Sequence, residues 1–522
     1  MISHALQSPP HPSRSTPAGR PIAASPHPAP PLPGPSRPLR SNPRPIHRRA
    51  CLRGRARGST IRSRAVAAPP RPIGSPRTLD DVELHPLDAS SEASFDLVIA
   101  GAGPSGLAVA DRVSRAGFRV CIVDPEPRSW WPNNYGVWVD EFEAMGLADC
   151  LEVVWPKAKV FLHDGEDGER FLNRPYARVD RPKLKRKFLE RCLKQGVRFH
   201  VTKVEDIMHD DYRSEVKCSD GSVLETTLVL DATGHARKLI QFDKKFDPGY
   251  QAAYGLLAEV ESHPFDLDTM VFMDWRDAHT ENRPDMRDRN KKDPTFMYAM
   301  PFSEKLIFLE ETSLVARPPI AFDELKKRFE ARVESLGIKI TRVEEEEYCL
   351  IPMGSALPQK PQRVLGIGGT AGMVHPSTGY MISRMLGVVP TLADTIVDEL
   401  STRQKDSEQN GSLQEVTGLA ERVWQKLWPV ERVRQRDFFC FGMEVTLQLD
   451  LQQTREFFGA FFSLSEFHWH GFLSARLSFS ELLVFGLSLF ANSTNEARIN
   501  LLQKGAPGLA VLLANLAKTL GD

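Results

Sequence analysis

The first 79 residues contain no aspartate, glutamate or lysine, while they hold 14 Arg and 18 of the chain's 40 Pro. Such a stretch cannot bury a core. It also lacks the apolar block, about 7–15 residues long, that a secretory signal requires. An Arg- and Ser-rich, acid-free leader is the composition of an organelle transit peptide, with a disordered basic tail as the plainer alternative. Cysteine is scarce: seven residues, with no CxxC pair and no metal-ligand spacing. This excludes a disulfide scaffold and a structural zinc, points to a reducing compartment, and leaves no metal expected. No apolar run reaches the roughly 18 residues that a spanning helix needs. Leu482–Ala491 comes nearest, and reads either as a buried helix or as a surface that dips into a bilayer. Net charge is absent too, with 67 basic and 67 acidic residues. Without the 14 leader Arg, 53 basic face 67 acidic side chains, a balance that excludes nucleic acid as a partner.

The remainder is long enough for two or three domains. Phe95–Ala100 and Arg119–Val123 are short β-branched apolar runs, and Ser105–Ala116 between them has helical spacing. This predicts a βαβ unit with Gly101-Ala102-Gly103-Pro104-Ser105-Gly106 at its first corner. In such a turn Gly101 permits the tight bend, Gly103 lets backbone approach a pyrophosphate, and Gly106 lets helix and strand pack. The helix N-terminus, opened by Pro104, then meets the negative charge. Asp124, 18 residues after Gly106, stands where a ribose hydroxyl is bound.

The turn alone does not separate FAD from NAD. Leu228–Gly234 (LVLDATG) and Gly368-Gly369-Thr370-Ala371-Gly372, followed by Pro376, Gly379 and Tyr380, resemble the segments that close the flavin site of glutathione-reductase-type flavoproteins. The expected cofactor is therefore FAD, held by Gly101, Gly103, Pro104, Gly106, Asp124, Gly234, Gly368, Gly372, Pro376 and Gly379. Gly369 departs from the pattern, which has Asp there.

The expected class is α/β: a glutathione-reductase-type, Rossmann-like FAD-binding domain with an inserted β-sheet substrate domain and a helical C-terminal region. The boundaries read as a transit peptide over 1–79, a linker over 80–94, the first part of the FAD-binding domain over 95–249, a β-rich substrate domain over 250–348, the return segment over 349–400, and helices over 401–522. Strands are expected over Tyr254–Val260, Met270–Asp274, Thr295–Met300 and Leu306–Glu311, and helices over Phe322–Leu336 and Tyr380–Leu400. Ser401–Ser412 is polar and reads as a loop.

Several collinear motifs carry a resemblance that spans residue 95 to the end. They are Pro132–Trp138 (PNNYGVW), Asp140-Glu141-Phe142, Arg174–Val179, Phe272–Asp277 (FMDWRD), Phe308–Thr312 (FLEET), Met373–Tyr380 (MVHPSTGY) and Trp469–Leu473 (WHGFL). Together they resemble the plant and algal lycopene cyclases. Trp275, Ile351-Pro352-Met353 and Ser377 are closer to the β-type than to the ε-type, and the capsanthin and neoxanthin synthases share most of these features.

The resemblance implies an isomerisation without net redox, from lycopene through γ-carotene to β-carotene, in which each linear end is protonated and closed to a ring. It implies reduced FAD as the active form, with NADPH as reductant, and a plastid enzyme at the thylakoid or envelope membrane, in complexes with other carotenoid enzymes. Glu310 and Glu311 are the candidates for proton transfer. On a strand they point to opposite faces and parity does not choose between them, but the family motif points to Glu310 as the acid/base, with Glu311 as its neighbour or a structural ion-pair partner. Tyr135, Trp138, Trp275 and Trp469 are the candidates for substrate contact. Rival readings are an ε-cyclase or a capsanthin or neoxanthin synthase of the same family, a redox flavoenzyme such as a monooxygenase or prenyl reductase, and a non-catalytic carotenoid-binding scaffold.

Overall fold

The computed structural model describes residues 78–87, 94–354, 356–410 and 414–519. The chain divides into Met1–Ala67 and Ala68–Asp522, and all described residues belong to the second unit. Apart from Thr78 and Leu79, the expected transit peptide lies outside them, as do residues 88–93 of the expected linker.

Ser94–Ala100 forms the centre of a seven-stranded sheet. It runs parallel to Val120–Val123 on one side and to Val223–Asp231 on the other. Arg198–His200 and Val364–Gly366 extend the parallel part outward, and the antiparallel strands Ser214–Cys218 and Val204–His209 complete the sheet. The central strand is a continuous apolar run because both its faces are covered: Leu97 to Ala100 are all buried. Helix Pro104–Arg115 begins with Pro at its first turn, where a missing N–H costs nothing. It packs on helices Arg181–Lys194 and Ile382–Asn410.

The helix that begins at Ile382 does not stop at Leu400, where the polar sequence predicted a loop, but runs on to Asn410. Arg403, Gln404, Lys405 and Glu408 are good helix formers, and propensity sustains a helix past the end of its apolar stripe. Arg403 also anchors this extension by donating to the Tyr212 carbonyl at 2.8 Å. Residues 411–413 lie outside the described set.

A second seven-stranded sheet has the order Ile340–Met353, Gly249–Val260, Leu306–Ser313, Thr295–Ser303, Thr269–Asp274, Lys157–Phe161 and Glu169–Leu172. Its last two strands come from the segment assigned by sequence wholly to the dinucleotide fold, and its first continues past residue 348. Lys157–Phe161 pairs with Thr269–Asp274, far along the chain, so no local signal marks its membership. Gly136–Trp138, Tyr176–Val179 and Leu151–Trp155 make a small third sheet.

Directly paired residues share a face, so the register sorts the second sheet into two surfaces. Helix Phe322–Ser335 covers one of them, with Leu325 and Phe329 against Tyr254, Leu256, Ile307 and Leu309. The opposite surface shares its core with aromatics of the small sheet and with the C-terminal helices Val430–Thr446, Leu451–Phe462, Glu466–Leu473, Phe479–Asn492 and Asn495–Lys518.

Candidate active site

The glycine turn is built as its spacing requires. Gly101 has φ +108°, and a Cβ there would stand 2.7 Å from the Ala232 carbonyl oxygen, while one at Gly106 would lie 2.2 Å from the Gly101 oxygen. A Cβ at Gly103 would meet only the Ala232 oxygen, at 3.8 Å, so the space before helix Pro104–Arg115 is open to a ligand. Asp124 accepts the Ala102 N–H at 2.7 Å and the Glu126 N–H at 2.8 Å, which fixes its carboxylate beside the turn.

Asp231, fully buried, ties the two later segments together. It accepts from the Thr233 N–H and hydroxyl on one oxygen and from the Thr370 hydroxyl, at 3.0 Å, on the other. This brings Gly234 into register with Gly368 and Gly372. Where an Asp was expected, Gly369 leaves its volume to His235, whose ring atoms stand 2.7 and 2.8 Å from the position of a Cβ. Gly379 approaches the second sheet, since a Cβ there would fall 2.2 Å from Gln251 Oε1. Pro376 lies in the turn before it. In that turn His375 accepts the Ser377 N–H on Nδ1 and therefore carries its proton on Nε2, which donates to the Phe472 carbonyl at 3.0 Å. His375 is thus a neutral brace between the glycine segment and a C-terminal helix, its basicity pushed far down by burial.

The two candidate glutamates separate cleanly. Glu311 is on the face covered by helix Phe322–Ser335. It is fully buried and bound by Arg332 at 2.7 and 3.0 Å and by the Thr295 hydroxyl at 2.5 Å. Its place among the catalytic candidates is corrected: the carboxylate is spent on a buried ion pair and does not face the site.

Glu310 points the other way. It pairs with Gly255 and Tyr298 in the register, and Gly255 pairs in turn with Glu347 on the far side. Glu310, Tyr298 and Glu347 therefore share one face. Both glutamates are partly buried. Burial, and then the charge of Glu347, pushes the Glu310 carboxyl up to about 8. Burial also raises Glu347, against the opposing pull of the Asn134 N–H, Arg181, Asn133 and Arg178.

Glu347 was not among the residues singled out by sequence. Its signal was present in Glu344-Glu345-Glu346-Glu347, a charge run that normally marks a solvated face. On a strand its alternate members diverge. Glu346 accepts from the Tyr254 and Tyr348 hydroxyls on the helix-covered face. Glu347 meets the PNNYGVW segment, and Glu345 meets two arginines beyond it. The Asn134 N–H donates to both Glu347 oxygens, at 3.1 and 3.2 Å, and the Asn133 amide donates at 3.4 Å. Arg178 and Arg181 bind Glu345, at 3.3 and 2.5 Å.

An aromatic wall adjoins the carboxylates. Tyr298 and Tyr176 are hydrogen-bonded to each other. The Tyr176 ring packs edge-on against Trp138 at 4.7 Å, and Trp138 lies 5.4 Å from Phe272 and 6.0 Å from Trp469. Trp138 and Trp469, both candidates for substrate contact, are thus brought together. Tyr135 sits near Glu347 and Cys349, and burial above all, against the opposing charge of Arg181, pushes its hydroxyl upward. Trp275 is fully buried between Phe296, at 4.6 Å, and Phe458, at 5.6 Å. Near Trp138, whose N–H donates to the Tyr380 hydroxyl at 3.4 Å, Tyr380 donates to Glu141. Together these groups can hold a proton in a poorly hydrated, aromatic surrounding and stabilise a developing cation there.

Residues 96–499 match the family model of the lycopene cyclase protein. The chloroplastic lycopene beta cyclase of Arabidopsis thaliana is 53% identical over 438 residues, covering 84% of this chain and 86% of that protein. The enzyme of Solanum lycopersicum is 53% identical over 436 residues, 84% of this chain and 85% of its own. The capsanthin/capsorubin synthase of Capsicum annuum is 49% identical over 448 residues, 85% and 88% of the two chains. Among solved structures, a geranylgeranyl bacteriochlorophyll reductase-like protein of Thermoplasma acidophilum superposes with TM-score 0.56 at 12% identity, over 76% of this chain and 100% of that one. The halogenase PltM does so with TM-score 0.51 at 13% identity, over 81% and 96%. These two likenesses establish the fold.

Proposed function

This chain belongs to the lycopene cyclase family, and from that premise we propose that it closes β-rings on the linear ends of lycopene within plastids, with Glu310 giving and taking the proton. The observation that carries the role of Glu310 is its position: enclosed, on the aromatic face, and held neutral near physiological pH by burial and by Glu347. An acid must be neutral to donate. A proton is added at C2 of the open end, the C5=C6 bond captures the resulting C1 cation, and C6 releases a proton. Electrons are neither gained nor lost. Trp138, Tyr176, Phe272 and Trp469 present ring faces and edges that exclude the water which would trap a tertiary cation, and each desolvated face is worth about 0.5–2 kcal/mol to a cation.

The cradle of Gly101, Gly103, Pro104, Gly106 and Asp124, with Gly234 and the Gly368–Gly379 segment, fits FAD: the open approach at Gly103 and the helix N-terminus behind it suit a pyrophosphate. When bound and reduced, with NADPH as the source of electrons, FAD supplies negative charge beside the cation.

Association with a plastid membrane belongs to the same reading, because the substrate is a hydrocarbon. No helix of the described residues is long and apolar enough to cross a membrane. Phe479–Asn492 is instead two-sided: Leu482, Phe485 and Leu489 are buried, while Val484 and Leu487 are 54% and 71% exposed. The next helix, Asn495–Lys518, exposes Leu502, Val511 and Leu513 in the same way. Both pack on helix Val430–Thr446, and their outward apolar residues suit the headgroup region of a bilayer.

Expression in a lycopene-accumulating bacterium tests the activity. β-Carotene is the expected pigment, δ-carotene would assign ε-rings instead, and unchanged lycopene would overturn the proposal.

A further inference from the structure

Glu310 and Glu347 stand on two strands that never touch. Both lie opposite Gly255, in the strand that separates them. Any side chain at position 255 would project between the two carboxylates from the same face, and an added Cβ would already press on Phe308 Cζ at 2.9 Å and Glu310 Cβ at 3.3 Å. The glycine is therefore what lets the two acids address each other. Their surroundings are unequal. Glu347 receives the Asn134 N–H on both oxygens and the Asn133 amide on one, with Arg181 and Arg178 nearby. Burial and the charge of Glu347 are what act on Glu310.

We propose that Glu347 is the positioning partner of Glu310 in a two-carboxyl unit that holds one proton, with Asn133 and Asn134 keeping Glu347 as the ionised member and leaving Glu310 as the acid. This rests on the reading of Glu310 as proton donor. Two like charges in one enclosed site do not both persist, so the first proton is retained and the second is shed. The pair's proton passes to C2 of the open chain, and both carboxylates are then negative and facing the cation. Their repulsion favours recovery of a proton from C6, which returns the unit to its starting state with no net change in protons or electrons. The other titratable groups around Glu347 are Cys349 and Glu345 on its own strand, Tyr135 from the segment before the small sheet, Arg178 from that sheet and Arg181 from the following helix, both arginines also binding Glu345; Tyr298 and Tyr176 face Glu310.

The test uses the FAD-loaded enzyme with pH profiles of kcat for Glu310→Gln, Glu347→Gln, the double variant and Asn133→Ala. Flavin content checks folding. Glu347→Gln keeps an acceptor for the Asn134 N–H but removes the charge. Its alkaline limb is expected to move to lower pH by about one unit or more, because Glu310 then releases its proton more readily. Asn133→Ala leaves both carboxyls in place while weakening the hold on ionised Glu347, and moves the limb the other way. The double variant is expected to lose no more than Glu310→Gln alone, because the two residues act as one unit. Glu310→Gln at near wild-type rate would refute the donor assignment and the dyad with it. Loss of activity in Glu310→Gln, combined with an unmoved limb in Glu347→Gln and Asn133→Ala, would refute the dyad alone. Should Glu347→Gln lose its flavin, the shift in Asn133→Ala decides.

Discussion

Replacing Glu311 by leucine removes one half of a salt bridge that is sealed from water. Glu311 has no exposed surface, and the Arg332 side chain is only 4% exposed. The pair is joined at 2.7 and 3.0 Å, and the second carboxylate oxygen also takes the Thr295 hydroxyl. Removing one member leaves a guanidinium buried with the carbonyls of Arg276 and Thr295 as its hydrogen-bond acceptors among the described residues, and breaking a buried pair in this way costs about 3–5 kcal/mol. The adjacent residue should behave in the opposite way. Glu310→Gln exchanges a neutral acid for a neutral amide of the same shape, so the variant should melt no lower than the parent, and higher at neutral pH, where the unfolded parent has shed a proton that the folded parent holds. Activity should nonetheless fall by about 10²–10⁴-fold, the range for loss of one proton-transfer group.

Thermal or denaturant melts of the two variants beside turnover of lycopene in detergent micelles would separate the roles. Glu311→Leu should melt far below the parent and recover much of the loss when Arg332→Met is added, since a buried pair replaced on both sides by apolar groups is often neutral. A Glu311→Leu enzyme that melts like the parent, or one that folds fully yet has no activity, would refute the assignment of the two glutamates to opposite faces.

Gly255→Ala forces a methyl against Phe308 and Glu310; a stability loss of about 1–3 kcal/mol is expected, with a larger drop in turnover than in flavin content, measured on the purified enzyme. Asp124→Ala removes the acceptor of the Ala102 N–H, and since a hydrogen bond to a charged group is worth about 1.5–3 kcal/mol, flavin titration should find FAD binding weakened about 10- to 100-fold. The pH dependence of stability has a definite sign. The Glu310 carboxyl is raised from its ordinary value of 4.5 to about 8, so across that window the folded chain holds a proton that the unfolded chain has released. Stability from this group is therefore lost as pH rises, by at most about 1.4 kcal/mol per pH unit for one proton. Glu310→Gln should flatten the slope measured by denaturation, and an unchanged slope would refute the raised carboxyl. Leu487→Asp with Val511→Asp should leave turnover in micelles intact and reduce flotation with plastid-lipid vesicles; undiminished flotation would refute the proposed membrane face.

Much of this architecture is written locally in the chain. The run Phe95–Ala100, the glycine turn and Asp124 specify the dinucleotide corner because strand, turn and helix are contiguous and each glycine answers a steric demand within a few residues. Trp138 and Trp469 stand in family motifs far apart in the chain, and the fold places their rings 6.0 Å apart. What escaped depends on partners distant in sequence. Lys157–Phe161 gives no sign that it joins a sheet centred on Leu306–Ser313, because its neighbour Thr269–Asp274 lies beyond the whole first half of the dinucleotide fold. The burial of Glu347 is invisible in a run of four glutamates until the strand's alternation is set against Asn133 and Asn134. Parity could not choose between Glu310 and Glu311, because which face helix Phe322–Ser335 covers is settled by packing.

The return of the chain to its first sheet also governs how it can be assembled. Val364–Gly366 completes the parallel sheet beside Val229–Asp231, and five of the second sheet's seven strands are made in the interval. Lys157–Phe161 must likewise wait for Thr269–Asp274. Neither sheet can close from an N-terminal fragment. Pairings this far apart in sequence are slow to form and leave strand edges open meanwhile. A chain cut short before Val364 would keep every glycine of the Gly101–Gly106 turn and still lack the edge that finishes its nucleotide site, so truncation products should appear as substrates for chaperones and proteases, not as small flavoproteins.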